Sequence, residues 1–167
     1  MFLKGDIMSK KTYILAICIF IIDQFTKSII STYLKLNESI LVIKDFFYLR
    51  YINNTGASFG ILSNSKTLLI ILSLLAIIII LRYMNSFKKS KMNTIGFGFV
   101  LGGILGNLSD RILHGYVKDF LDFIIFNYDF PVFNLADIFI VVGVIILIIS
   151  IIRGEDSNGS KSSRRNK

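Results

Sequence analysis

Between Leu68 and Leu81 the chain reads LLIILSLLAIIIIL, and Ser73 is the one residue of this stretch that is not aliphatic. A helix at the surface of a soluble core keeps a polar face, and this stretch has none. A helix that is apolar on every side is typical of a membrane span. The stretch therefore predicts a transmembrane helix over residues 67–84.

Three further apolar blocks are similar in length to the first. The four predicted spans cover residues 13–30, 67–84, 94–113 and 136–152. Each approaches the roughly 20 residues that cross a hydrocarbon core of about 30 Å. The first block follows several lysines, as the apolar part of a cleavable signal peptide does, but it contains Asp23 and Lys27 and lacks a small-x-small cleavage site. We therefore expect a retained helix and a single membrane-embedded domain over residues 1–152.

The composition of the whole chain agrees with this interpretation. Of the 167 residues, 53% are apolar and 18% are charged, whereas about a quarter of the residues in a soluble domain are charged. The single cysteine, Cys18, and the single histidine, His114, exclude an intrachain disulfide and a zinc site built from such ligands. The chain also lacks a glycine-rich phosphate loop, so we expect neither a metal nor a cofactor.

The basic residues are unevenly distributed along the chain. Twelve of the 19 Lys and Arg residues lie in residues 1–12, residues 82–93 and the tail 153–167. The positive-inside rule places these segments, and hence both termini, in the cytoplasm. The net charge of +8 is therefore a topology signal, and we expect no nucleic-acid partner. The polar tail lacks periodicity and is expected to be disordered.

The two loops on the opposite side differ from simple connectors. Residues 40–52 read ILVIKDFFYLRYI and are followed by NNTG at 53–56. β-Branched and aromatic residues bounded by a turn-like cluster predict strand structure. We expect a small outward-facing β segment there, near the outer membrane surface. Residues 114–135 predict an ordered, irregular loop in which Asp122 and Asp129 are solvated carboxylates.

Ionisable groups inside membrane spans are costly, which makes them candidates for function. Eight polar residues from different segments are expected at one depth, the outer membrane interface: Asp23, Lys27, Asn107, Asp110, Arg111, Asp119, Asn134 and Asp137. Two carboxylates held close together share a proton, so one activates a water molecule while the other protonates a carbonyl oxygen. This is the chemistry of aspartic proteases. The residues alone do not identify which two aspartates of this region would form the pair.

Two other functions use some of the same features. A small ion or solute transporter would also need intramembrane carboxylates, but they would be distributed through the membrane thickness. A non-catalytic assembly protein would use Gly98, Gly102 and Gly106, whose spacing of four lets another helix approach closely. For these glycines we expect helix packing. Neither alternative explains why the polar residues converge at one face.

Five short motifs follow one another in a distinctive order. They are DQFTK at 23–27, NTGASFG at 54–60, GGILGNLSDR at 102–111, VKDF at 117–120 and FNLAD at 133–137. From about residue 12 to residue 152, this order closely resembles the bacterial lipoprotein signal peptidase family, also called signal peptidase II. Ser58 departs mildly from the family, in which alanine is common at that position.

The resemblance implies an intramembrane aspartyl endopeptidase of the bacterial inner or plasma membrane. Its substrate would be a prolipoprotein, cut just before a diacylglyceryl-modified cysteine to release the signal peptide. The implied catalytic pair is Asp119 and Asp137. The implied substrate-binding shell is Asp23, Lys27, Asn54, Gly56, Asn107, Asp110, Arg111, Asn134 and Ala136. Membrane lipid and the family's cyclic peptide antibiotic inhibitors are the other expected partners.

Overall fold

A computed structural model describes residues 9–56, 62 and 65–156 of the chain. The described residues form four long helices and a small antiparallel sheet. The helices are α1 (Lys10–Tyr33), α2 (Lys66–Tyr83), α3 (Lys91–Leu113) and α4 (Leu135–Ile152), and a 3₁₀ turn at Met84–Ser86 follows α2. Each of the four is long and apolar enough to cross a membrane. The four spans predicted from the sequence are therefore present, with ends that differ by a few residues.

Polar side chains define where three of the helices begin. The Ser9 hydroxyl accepts a hydrogen bond from Lys11 N at 3.2 Å at the start of α1. The Ser90 hydroxyl accepts one from Asn93 N at 3.1 Å at the start of α3, and Asn134 caps α4. Such caps satisfy first-turn N–H groups that intrahelical carbonyls do not reach. Each of these apolar runs therefore begins at a fixed residue.

Helix α3 is the centre of the bundle. In its most apolar window 67% of the residues are buried, against 11% to 22% in the other three helices. Its glycines allow the close packing: a Cβ on Gly102 would lie 2.6 Å from Ile19 Cβ of α1, and a Cβ on Gly103 would lie 2.5 Å from the Ala136 carbonyl of α4. A larger residue at either position would push a neighbouring helix away. The glycine spacing therefore serves helix packing, as the sequence predicted.

The sheet is assembled from both loops on one side of the bundle. Its strands are β1 (Ser39–Ile43), β2 (Phe47–Asn54), β3 (Val117–Ile125) and β4 (Tyr128–Asp129), and they lie in that order. The β2–β3 pairing runs from Asn54 opposite Val117 to Phe47 opposite Phe123, with a register irregularity between Leu49 and Ile52. The β segment predicted between the first two spans is therefore one half of a larger sheet. The expectation of an irregular loop over 114–135 was wrong, because residues of that loop pair with β2 and with each other.

Asp122 also differs from its predicted environment. It is 6% exposed, and its Oδ2 lies 3.8 Å from Arg50 Nη1 across the β2–β3 pair. Burial, followed by the charge of Asp129, raises the pKa of Asp122, while the charge of Arg50 lowers it. Pairing of β3 with β2 covers this carboxyl group, which a loop would have left in water. Asp129 is exposed, as predicted.

Apolar contacts hold the sheet against the ends of two helices. Ile30 and Leu34 at the end of α1 form a buried cluster with Tyr51 of β2 and Phe120 of β3, and Leu135 at the start of α4 packs against it. These contacts fix the middle of the sheet against the end of α1 and the start of α4. At the opposite end of the bundle, residues 153–156 follow α4, and the remainder of the predicted tail lies outside the described residues.

Candidate active site

A buried ionic cluster joins α1 to α3. Lys27 Nζ lies 2.8 Å from Asp23 Oδ2 and 3.1 Å from Asp110 Oδ2, and it donates to Asn107 Oδ1 at 2.9 Å. Lys27, Asp23 and Asp110 are each at most 1% exposed. Charges withdrawn from water in this way are tolerated only when paired. Because one ammonium group serves two carboxylates on different helices, it fixes α1 relative to α3.

The same two carboxylates also hold two more elements. Asp23 Oδ1 accepts a hydrogen bond from Ala136 N, in the first turn of α4, at 3.1 Å. Asp110 Oδ2 accepts one from Lys118 N, near the start of β3, at 3.2 Å. In each case the next residue along the chain is another aspartate. The ionic cluster therefore positions the backbone directly before both of these aspartates.

Those two aspartates, Asp119 and Asp137, are connected by Asn134. Asn134 Nδ2 donates to Asp119 Oδ1 at 2.6 Å, and Asn134 N donates to Asp137 Oδ2 at 3.2 Å. Asp137 N returns a hydrogen bond to Asn134 Oδ1 at 3.1 Å, which completes a capping box at the start of α4. Two further amides complete the set, because Asn54 Nδ2 lies 2.8 Å from Asp119 Oδ2 and Asn107 Nδ2 lies 2.8 Å from Asp137 Oδ1. Each of the four carboxyl oxygens thus receives an N–H group.

The two carboxyl groups differ in environment. Asp119 is 1% exposed, whereas Asp137 is partly exposed. Burial, and then the negative charge of Asp137, raise the pKa of Asp119 from its ordinary value of 3.8 to about 7. The hydrogen bonds from Asn54 and Asn134 and the charge of Lys27 act in the opposite direction and lower this pKa. The aspartate pair therefore holds one proton near neutral pH. One neutral and one ionised carboxyl group are what general acid–base catalysis of hydrolysis requires.

Arg111 and Gly56 form the edge of the site. Arg111 Nη2 donates to the Gly56 carbonyl at 3.2 Å, and Gly56 N donates to Asn54 Oδ1 at 2.9 Å. The end of β2 is thereby tied to α3 beside Asp119. Arg111 Nε is buried, and among the described residues it has no hydrogen-bond acceptor.

Residues 15–153 match the family model described as Signal peptidase (SPase) II. The chain belongs to the signal peptidase II family. It is 43% identical over 137 residues to the lipoprotein signal peptidase of Halothermothrix orenii, covering 82% of this chain and 92% of that one. It is 36% identical over 160 residues to the lipoprotein signal peptidase of Staphylococcus aureus, covering 92% of this chain and 98% of that one.

Two solved structures described as bacterial membrane enzymes also resemble this member of the family. The first has a TM-score of 0.79 and 34% sequence identity, covering 93% of this chain and 94% of that chain. The second has a TM-score of 0.72 and 36% identity, covering 85% of this chain and 92% of that chain. The arrangement of four helices and a sheet is thus shared with membrane enzymes over nearly the whole chain.

The structure brings all the predicted site residues into one hydrogen-bonded network. The network joins α1, β2, α3, β3 and α4 through Asp23, Lys27, Asn54, Gly56, Asn107, Asp110, Arg111, Asp119, Asn134, Ala136 and Asp137. In the described part of the chain, no group of three His, Cys, Asp or Glu residues could hold a metal ion.

Gln24 and Gly106 belong to the same network but were missing from the predicted set. Gln24 Nε2 lies 3.2 Å from Asp23 Oδ2, from the Gly106 carbonyl and from Asp110 Oδ1. A Cβ on Gly106 would collide with the Asp23 carboxylate. Asp23 and Lys27 were predicted because ionisable groups are costly inside a span, a criterion that does not apply to the neutral amide of Gln24. The available signal was spacing, since Gln24 lies three residues before Lys27 on the same helix face.

Proposed function

We propose that this chain is an intramembrane aspartyl endopeptidase that removes the signal peptide from diacylglyceryl-modified prolipoproteins, cutting just before the lipidated cysteine. The observation that supports this proposal most directly is the pair Asp119 and Asp137, joined through Asn134 in a chain that belongs to the signal peptidase II family. Relatives that match most of the chain are named lipoprotein signal peptidase. The proposal assigns this activity to the aspartate pair.

The proposed mechanism gives the two aspartates different roles. Asp137 is the base: it accepts N–H groups from Asn107 and Asn134, and it is the partly exposed member of the pair, which a water molecule can reach. Asp119 is the acid, because its pKa of about 7 leaves a large part of it protonated at neutral pH and most of it protonated below. Asp137 takes a proton from water as the water oxygen attacks the scissile carbonyl carbon. Asp119 protonates the carbonyl oxygen, which gives a tetrahedral diol. The bond between carbon and the amide nitrogen then breaks as the nitrogen takes the proton held by Asp137, and Asp119 takes a proton back from one hydroxyl group as the new carboxyl group forms.

The surrounding residues are proposed to hold the substrate around this pair. Arg111 Nε supports this role, because it has no acceptor among the described residues and a peptide carbonyl would supply one. Asn54 and Gly56 form the adjoining edge, where an extended peptide backbone would lie. The other proposed members of the substrate-binding shell are Asp23, Lys27, Asn107, Asp110, Asn134 and Ala136. Cyclic peptide antibiotics that inhibit the family are proposed to occupy the same site.

We place the protein in the bacterial cell membrane, with both termini in the cytoplasm and the aspartate pair at the outer face. The distribution of basic residues supports this orientation, as does the even number of spans predicted from the sequence. The sheet would then lie at the outer membrane surface. At that depth the acyl chains of the substrate remain in lipid while its cysteine region reaches the site. Because these chains are already in lipid, they orient the substrate more than they tighten its binding.

The test is cleavage of a diacylglyceryl-modified prolipoprotein by purified protein in detergent, followed by gel shift. Asp119→Asn and Asp137→Asn should each abolish cleavage, because each removes an ionisable oxygen with almost no change in shape. Asp129→Asn is the matched control, since Asp129 is an exposed aspartate of the same sheet, and it should cleave normally. The unmodified precursor should not be cut. Cleavage by either variant of the pair would refute the assignment.

A further inference from the structure

The two hairpin turns of the sheet lie together at the end farthest from the aspartate pair. We call this the distal end: residues 43–47, which turn from β1 into β2, and residues 125–130, which include β4. Phe46 O accepts a hydrogen bond from Ile124 N at 2.9 Å, and Phe123 stacks on Phe47 with ring centroids 4.5 Å apart. The two turns are therefore parts of one rigid edge.

The distal end exposes an unusual amount of apolar surface. Phe126 is 100% exposed at the tip of the β3–β4 hairpin, and nearby side chains from both turns are 38% to 56% exposed: Ile43, Phe46, Ile125, Tyr128 and Phe130. Phe126 also has φ 51°, followed by Asn127 with φ 61°. That turn favours asparagine or glycine at both positions and disfavours a bulky ring. Phe126 therefore combines a strained backbone conformation with a fully exposed ring, which indicates a contact with something outside the chain.

The sheet continues along its strands beyond the residues that contact the helices. Asp119 lies over the bundle, and Phe126 is seven residues farther along the same hairpin, which corresponds to about 23 Å at about 3.3 Å per residue. A helix with its side chains is only about 10–12 Å across. Helix contacts hold the middle of the sheet at Tyr51 and Phe120. The distal end therefore lies beyond these helix contacts, and its exposed side chains meet whatever surrounds the protein.

For a membrane-spanning bundle, that surrounding is lipid. Along α1, Phe25, Ile29 and Tyr33 are 64%, 39% and 80% exposed, so an apolar outer surface continues from the helix to the base of the sheet. Aromatic side chains are enriched at the boundary between acyl chains and headgroups. We propose that the distal end is a second membrane anchor, in which Phe126 and Phe46 insert into the lipid interface beside the bundle. The anchor keeps the sheet, and with it Asp119, at one depth relative to the membrane.

The chain has no tryptophan, which allows a direct test. Phe126→Trp and Phe46→Trp each introduce one fluorophore by a conservative change, and Ile78→Trp serves as the lipid-facing control because Ile78 is 60% exposed in the middle of α2. Each variant is placed, one copy per disc, in nanodiscs of phosphatidylcholine and phosphatidylglycerol. Free N-acetyltryptophanamide provides the aqueous reference. Thermal unfolding shows which variants retain the fold.

Two quenchers distinguish the possible surroundings. Lipids brominated near the glycerol end of their acyl chains should remove most of the emission of both distal-end variants, and iodide in the water should remove little. Lipids brominated at the chain ends should quench the Ile78→Trp control more strongly than either distal-end variant, since a surface anchor is shallow. Emission that iodide quenches and bromolipid does not would overturn the proposal in favour of a water-exposed edge. Blue-shifted emission that neither agent quenches would also overturn it, because the ring would then be covered by protein.

Discussion

Replacing Asp119 by Asn should change how the stability of the protein depends on pH. In the folded protein the pKa of Asp119 is about 7, whereas its ordinary value is 3.8. The folded state therefore holds this proton more tightly than the unfolded state does. The resulting stabilisation is fully present below about pH 3.8 and is lost as the pH rises through about 7. Asparagine does not titrate, so Asp119→Asn should lack this loss.

The size of the effect follows from the two pKa values. Between about pH 5 and about pH 8, the parent should lose roughly 2–3 kcal/mol of unfolding free energy through this group. For a chain of this size that is roughly 5–10 °C in Tm. The variant can still accept the hydrogen bond from Asn134, but its new amide faces the Asn54 donor. That mismatch lowers the unfolding free energy of the variant by about 1 kcal/mol at every pH. It therefore does not alter how the stability of the variant depends on pH.

Thermal unfolding of detergent-purified protein at several pH values between about 5 and 8 measures how the stability of the parent and of the variant depends on pH. The Tm of Asp119→Asn minus that of the parent should increase with pH by roughly 5–10 °C. Asp45→Asn is the control: Asp45 is exposed in the β1–β2 turn, so its difference from the parent should stay nearly constant. A constant difference for Asp119→Asn would show that Asp119 is already ionised at the lowest pH. The assignment of Asp119 as the acid would then be refuted.

Three further predictions concern the network around the pair. Lys27→Met leaves two buried carboxylates without their cation, so it should lower the unfolding free energy by about 3–5 kcal/mol, and a Tm unchanged in detergent would contradict the ionic cluster. Gly106→Ala drives a Cβ into the Asp23 carboxylate, whereas the control Gly102→Ala meets the Ile19 side chain and the Ala16 carbonyl, away from the aspartate pair. Both should lower Tm, but only Gly106→Ala should reduce kcat among molecules that remain folded. Gln24→Met removes a donor shared by two carboxylates and should lower kcat about 10-fold or more with little change in KM; a rise in KM alone would assign Gln24 to substrate binding.

The helices were predictable from the sequence because lipid imposes a simple rule on them. Lys66–Tyr83 and Leu135–Ile152 are almost uniformly apolar, and a run of that length has few alternatives to spanning a membrane. The packing of α3 was also predictable, since glycines spaced by four, such as Gly98 and Gly102, share one helix face. The exact helix ends depend on caps such as Ser90, whose effect is local and does not show in the pattern of apolar residues.

Strand β3 was not predictable in the same way. Its sequence VKDFLDFII places Asp119 and Asp122 three residues apart, and aspartate is depleted in strands. In a strand, residues three apart point to opposite faces. One carboxyl group accordingly faces Asn54 and Asn134 in the site, while the other faces Arg50. Both have an environment that only pairing with β2 creates, so neither their burial nor their pKa values could be derived from the residue pattern.

The network separates its cations from the aspartate pair. Lys27 is within ion-pair distance of Asp23 and Asp110, and Arg111 donates to carbonyl groups, while the hydrogen-bond partners of Asp119 are neutral amides. A cation in direct contact would hold the pKa of Asp119 low and leave the pair without a proton to donate. Amides orient the same oxygens with a much weaker preference for the charged form. The cations can therefore fix the elements that carry the pair, while burial keeps Asp119 able to act as an acid.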